Sequence, residues 1–196
     1  MKCPAPAVAV IALASALACS SINIKTGPPT DQEIIRESED RGSRMRAEWS
    51  NQLQQASPIQ QANIMRGFVD STTARFIRFG YQVIEVWRTE SERRGVQLSA
   101  EEVRQVIEHS NQFDLPLLEA YEDVLEFGVS LVIDSRFFDA QVKNRLVAYR
   151  DFYYEVYNAV FFPNGTTEDY ERLLHDMESR TQQVSQLLAE ELVRYE

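Results

Sequence analysis

Cysteine, histidine, glycine and proline are all scarce in this chain, and each shortage removes a class of explanation. Cys3 and Cys19 are its only cysteines, so the disulfide framework that staples many small exported domains is excluded. His109 and His175 are its only histidines, which leaves few actors for acid-base, nucleophilic or zinc chemistry. No Gly-rich phosphate loop, H-E-x-x-H or C-x-x-C pattern occurs, and Gly128-Val129-Ser130-Leu131-Val132 lacks the second glycine of a nucleophile elbow. The seven glycines and seven prolines gather at joints, which favours long regular elements. No segment sustains a two-residue apolar alternation, so no sheet is expected. Basic side chains are also outnumbered, 20 against 30 acids, for a formal net charge of -10. That balance argues against nucleic acid and against a basic patch on anionic lipid.

The one long apolar run is at the start. Met1 and Lys2 precede an uncharged stretch from Pro4 to Ala18 rich in Ala, Val, Leu and Ile. This is the organisation of a secretory signal peptide, too short to span a bilayer core that needs about 20 apolar residues. Two cuts suit its small residues. Ala16-Leu17-Ala18 satisfies the A-x-A rule of simple secretion, and an uncleaved anchor is the remaining alternative. Ala16-Leu17-Ala18-Cys19 resembles the lipobox of bacterial lipoproteins, with Ala16 standing where that family favours Leu. The resemblance implies that Cys19 receives the lipid, palmitate or a similar acyl group, and becomes the mature N-terminus. Ser20 after it implies outer-membrane sorting with the protein facing the periplasm. Cleavage before Cys19 leaves one thiol, a liability in an exported protein that a thioether removes. Residues 1–18 are therefore expected to be a signal peptide, 19–29 a flexible tether ending in Gly and two prolines, and 30–196 a single helical domain.

Within that domain apolar residues recur at steps of three and four, the signature of helices packed on one face. Met65, Val69, Thr72, Phe76, Phe79, Val83 and Val86 form one stripe; Val142, Leu146, Tyr149, Tyr153, Val156 and Val160 form another. Three capping boxes, Thr30 with Glu33, Ser57 with Gln60 and Ser99 with Glu102, mark helix starts. Pro58 follows one of them, and Gly95 after Arg93-Arg94 marks a left-handed end. Asp114 before Leu115-Pro116 reads as a further start. These signals predict helices over 30–56, 58–94, 99–112, 115–134, 138–161 and 166–195. The fold class is all-α, an elongated antiparallel bundle of about five to six helices. Weak helix formers at Ser71-Thr72-Thr73 mark a place where the second helix can bend.

Few side chains suggest chemistry. Glu171, His175 and Glu178 share a helix face, but that face points away from the apolar stripe, so a solvated surface is expected instead of a metal site. Glu119, Glu122, Asp123 and Glu126 lie opposite Leu117, Tyr121, Val124 and Leu131 and read as an exposed side, with no Glu-x-x-His to suggest a di-iron centre. His109 flanks an apolar stripe and reads as a boundary histidine. No catalytic residue, metal or cofactor is expected. The first helix is rich in charge, with Glu37–Arg41 and Asp40–Arg44 spaced for intrahelical pairs and a thin stripe of Ile35, Met45 and Trp49.

The most distinctive region is aromatic. Nine Phe and Tyr residues fall between Phe137 and Phe162, too many for one seam. Tyr149, Phe152, Tyr153, Tyr154 and Tyr157 are the candidate interface or pocket, either buried by several neighbours or partly turned to a ligand or partner. The expected function is that of a non-enzymatic, lipid-anchored envelope protein acting through helix-mediated contact with another envelope protein or with itself. The alternative is a bundle holding an apolar small molecule or lipid in an aromatic-lined cavity.

Overall fold

The computed structural model describes residues 29–196, apart from the side chains of residues 109–113. Five α-helices account for most of them: α1 (Asp31–Gln55), α2 (Pro58–Arg94), α3 (Ala100–Asp134), α4 (Ala140–Phe161) and α5 (Thr167–Leu192). A single short turn of 3₁₀ helix, Val193–Tyr195, closes the chain, and no strand occurs among the described residues. The protein is an all-α bundle.

Local chemistry sets the ends. Thr30 and Glu33, Ser57 and Gln60, and Ser99 and Glu102 each form the reciprocal box, side chain to backbone N–H in both directions. Thr166 with Asp169 repeats the device at α5, and Asp139 caps α4 by accepting from the N–H groups of Gln141 and Val142. Each box satisfies donors that a helix start leaves unpaired. Gly95 ends α2 at φ 68°, left-handed backbone that glycine adopts without a Cβ clash. Thr72 and Thr73 bond back to the carbonyls of Phe68 and Val69, both at 2.8 Å, and α2 runs through the weak stretch unbroken.

Two expected helices, 99–112 and 115–134, are one. Pro116 lies inside α3, and Asp114 is no cap. An interior proline costs about 3 kcal/mol through a lost hydrogen bond and ring crowding. Here a continuous buried face outweighs it: Val103 and Ile107 before the proline, and Leu117, Leu118, Ala120, Tyr121 and Val124 after it, all enter the same core. Helix α1 presses on this segment. Its buried positions are Ser38, Gly42 and Leu53, and the first two are small enough for backbones to approach closely. A Cβ on Gly42 would sit 2.8 Å from the carbonyl oxygen of Pro116. Two arginines of α1 reach across to α3: Arg41 lies 3.5 Å from the buried Asp114, and Arg46 2.9 Å from Asp123. Burial pushes the Asp114 carboxyl up, Arg41 opposes this, and Glu37 adds to it.

Successive helices run antiparallel. Tyr121 of α3 meets Arg75 and Phe68 of α2; Tyr154 of α4 meets Glu122 of α3; Arg180 of α5 meets Glu155 of α4. Helix α2 is the common partner of α3, α4 and α5. Phe76 marks its centre, with ring centroids 6.2 Å from Tyr121, 5.5 Å from Tyr153, 5.7 Å from Tyr157 and 5.4 Å from Phe161. Trp87 donates to the Leu98 carbonyl at 2.9 Å, fixing the α2–α3 joint to the core.

Two glycines test this packing. Gly67 lies inside α2 with nothing within 4 Å of an added Cβ. Gly67→Ala is expected to stabilise the chain by up to about 1 kcal/mol through helix propensity. Gly42→Ala is expected to cost about 1–3 kcal/mol by forcing α1 off α3. Denaturant unfolding of the two variants, with midpoints moving in opposite directions, checks both.

Candidate functional site

The aromatic helix α4 sends its side chains to three different places. Tyr149, Phe152, Tyr153, Val156 and Val160 are buried, while Tyr154 and Tyr157 are half-buried. Spacing explains the split: 149, 153 and 157 follow one stripe at four-residue steps, and 154 stands about 100° round from 153.

Tyr149 enters a polar knot. Its hydroxyl donates to Asp70 Oδ1 of α2, and Ser185 of α5 donates to Asp70 Oδ2 at 2.7 Å. Burial first, and then the Asp70 carboxylate, hold the phenol far above its ordinary range. It stays a donor at any ordinary pH, so the knot ties three helices together. Phe152 faces elsewhere, with the Arg180 guanidinium 5.2 Å above its ring and that guanidinium forked onto Glu155 at 2.6 and 2.7 Å. Neither Tyr149 nor Phe152 is among the residues that line the groove formed by the other three.

Tyr153, Tyr154 and Tyr157 do come together. They line a groove of about 270 Å³ between α3 and α4, opposite Leu118, Glu119 and Glu122. Leu115 and Asn158 complete its upper rim, and Leu115 is 49% exposed. The Tyr154 hydroxyl lies 3.1 Å from Glu122 Oε1 and 2.9 Å from Glu126 Oε1, so one proton serves two carboxylates. Arg150 approaches Glu126 at 3.7 Å. Tyr153 is only 2% exposed. Burial pushes its phenol up, and the neighbouring Tyr154, Tyr157 and Glu122 add to the shift. Tyr157 is raised by burial and then by Glu122, and Tyr154 by burial and then by Glu126. All three phenols are held protonated, as hydrogen-bond donors and ring faces and not as nucleophiles. Among the described residues neither the Tyr153 nor the Tyr157 hydroxyl has a hydrogen-bond partner.

A second groove, about 330 Å³, lies between α2 and α5 and is lined by Ile77, Arg78, Tyr81, Glu178 and Thr181 among others. Tyr81 donates to Glu178 at 3.4 Å across it, and Arg78 is among its lining residues. Glu171 pairs with Arg88 at 2.6 Å, and His175 is exposed. Among the described residues no group of three or more His, Cys, Asp or Glu could hold a metal ion. Cys19 and the side chain of His109 lie outside the described residues.

Comparison with protein-family models, with curated proteins and with solved structures returns no match.

The sequence reading missed the α3 wall of the groove. Glu119 and Glu122 are exposed, as the periodicity of α3 predicts, and that periodicity alone does not set them against the tyrosines of α4. The signal was present: Glu122 and Tyr154 stand equally far from Phe138 in the α3–α4 joint, and antiparallel neighbours bring such residues level.

The polar knot yields a test by double-mutant cycle. Tyr149→Phe is expected to cost about 1–3 kcal/mol, because Asp70 loses a buried donor. Combined with Ser185→Ala, the loss is expected to be non-additive by about 0.5 kcal/mol or more, since both bonds end on one carboxylate.

Proposed function

We propose that this chain is a bacterial envelope lipoprotein, anchored through acylated Cys19 in the outer membrane with its bundle in the periplasm. The bundle acts by binding another envelope protein, or a second copy of itself, through the α3–α4 groove. It does so without catalysis. The lipobox-like segment before Cys19 supports the anchor, and acyl chains burying many CH₂ groups at about 0.8 kcal/mol each give stable attachment when more than one is present. No helix among the described residues is long and apolar enough to cross a membrane.

One observation carries the binding role. The α3–α4 groove exposes Leu115 and parts of Tyr154 and Tyr157 beside carboxylates, on a rigid two-helix wall. Aromatic residues with a polar tip, framed by polar rims, dominate protein contact sites. The alternative of an apolar small molecule is less well supported. Small-molecule pockets occupy roughly 300–1,000 Å³ and are mainly apolar, while this groove measures about 270 Å³ and is acid-lined.

Membranes from cells expressing the protein test both halves. The mature chain is expected to begin at acylated Cys19, read by mass spectrometry, and Cys19→Ser to leave the membrane fraction. After cross-linking, Leu115→Ser is expected to lower recovery of the partner, or of the homodimer, about threefold or more. Arg78→Ser in the α2–α5 groove is expected to leave it unchanged. A chain starting upstream with a bare thiol contradicts the anchor, and equal recovery from both groove variants contradicts the binding role.

A further inference from the structure

The α3–α4 groove is built for positive charge and contains none of its own. Its walls present three phenol rings, whose faces carry the negative lobe of the ring quadrupole. The Tyr153 and Tyr157 hydroxyls have no hydrogen-bond partner among the described residues, and the Tyr153 oxygen opens onto the groove although the residue as a whole is 2% exposed. Each leaves oxygen lone pairs free to accept from a donor in the groove.

The charges around it point the same way. Glu119 and Glu122 line the groove and make no ion pair among the described residues. One turn further on, Glu126 is met by Arg150 at 3.7 Å, and Asp123 by Arg46 at 2.9 Å. Arg75 of α2, an exposed residue, donates to the Tyr121 hydroxyl at 2.8 Å. These three arginines are thus engaged with groups outside the groove lining. The α2–α5 groove differs because an arginine, Arg78, is among its own lining residues.

Size and ligand number narrow the occupant. About 270 Å³ accepts the end of one side chain more readily than a drug-sized molecule. A hard metal ion needs about six oxygen ligands, more than two carboxylates and protonated phenols offer. An ammonium brings three donors, and a guanidinium five together with a flat face for stacking on rings. The net charge of -10 draws a basic partner from a distance.

We propose that the α3–α4 groove receives a cationic side chain, the ammonium of a lysine or the guanidinium of an arginine, presented by a basic segment of a partner protein. This rests on the reading of the groove as a protein-binding site. Tyr153, Tyr154 and Tyr157 supply the ring faces, the two unpartnered hydroxyls accept hydrogen bonds, and Glu119 and Glu122 supply the countercharge. Leu115 covers the aliphatic stem.

Titration of the purified full chain, carrying ring-labelled tyrosine, with short peptides tests it by NMR. The probes are acetyl-Gly-Arg-Gly-amide and its Lys counterpart, against norleucine and Gln peptides. The two cationic peptides are expected to shift the Tyr153, Tyr154 and Tyr157 ring signals with a roughly millimolar Kd, and the neutral peptides to leave them in place. Raising salt to about 1 M, where the Debye length is about 3 Å, is expected to weaken binding. Glu119→Gln with Glu122→Gln, both at exposed positions, is expected to weaken it about three- to tenfold, and Glu178→Gln to have no effect. Equal shifts from norleucine, no shifts from either cationic peptide, or indifference to the double substitution would overturn the proposal. If it fails while Leu115→Ser still loses the partner, the binding role stands without a cation. If the cationic peptides bind while Leu115→Ser retains its partner, the cation site stands and the binding role falls.

Discussion

Everything α4 offers to the outside depends on the packing of one ring, Phe76 of α2. Tyr121, Tyr153, Tyr157 and Phe161 converge on it with centroids between 5.4 and 6.2 Å away. Edge-to-face arrangements of this kind are favoured beyond the area they bury. With that centre occupied, the bodies of Tyr153 and Tyr157 are fixed in the core and their hydroxyls are left at the α3–α4 seam. Tyr154, one residue round the helix, makes a near-perpendicular contact with Tyr153 at 5.4 Å and reaches the acids of α3. The groove is therefore the outer edge of the core. Its geometry needs no loop to hold it, which suits a site that must be preformed.

The remaining helices tighten this centre from other sides. A Cβ on Gly80 would meet Leu174 at 2.7 Å, so α5 lies close against α2 there. Tyr170 donates to the Val160 carbonyl at 2.7 Å and joins α5 to the end of α4. The Tyr149–Asp70–Ser185 knot does the same lower down, with hydrogen bonds where α5 offers a serine in place of an apolar residue. Helix α1 is attached differently. Only Ser38, Gly42 and Leu53 are buried along it, and its hold on α3 comes from close backbone approach, the flanking Met45 and Trp49, and cross-helix arginines.

How far this was legible follows from the range of each interaction. Helix starts were, because a capping box is written within four residues: Thr30, Ser57 and Ser99 each cap the helix their spacing predicts. The burial of Tyr149, Tyr153 and Val156 followed from the three-and-four rhythm, as did the different side taken by Tyr154. The merger of two expected helices across Pro116 did not, because the local penalty of proline is overridden by tertiary packing that includes Gly42, some seventy residues away by the count to the Pro116 carbonyl it faces. Arg41 was assigned to Glu37 on its own helix, yet it reaches Asp114, a contact no periodicity announces. The tyrosine part of the groove was named from composition; its acidic wall needed the α3–α4 register.

The proposed contact with another protein is at this α3–α4 seam. A photoreactive amino acid placed at Asn158, on the groove rim, and separately at Glu168, exposed near the start of α5, tests it in living cells. Irradiation is expected to give a discrete adduct from position 158 and none from position 168. An adduct from 168 alone, or identical patterns from both, would contradict it.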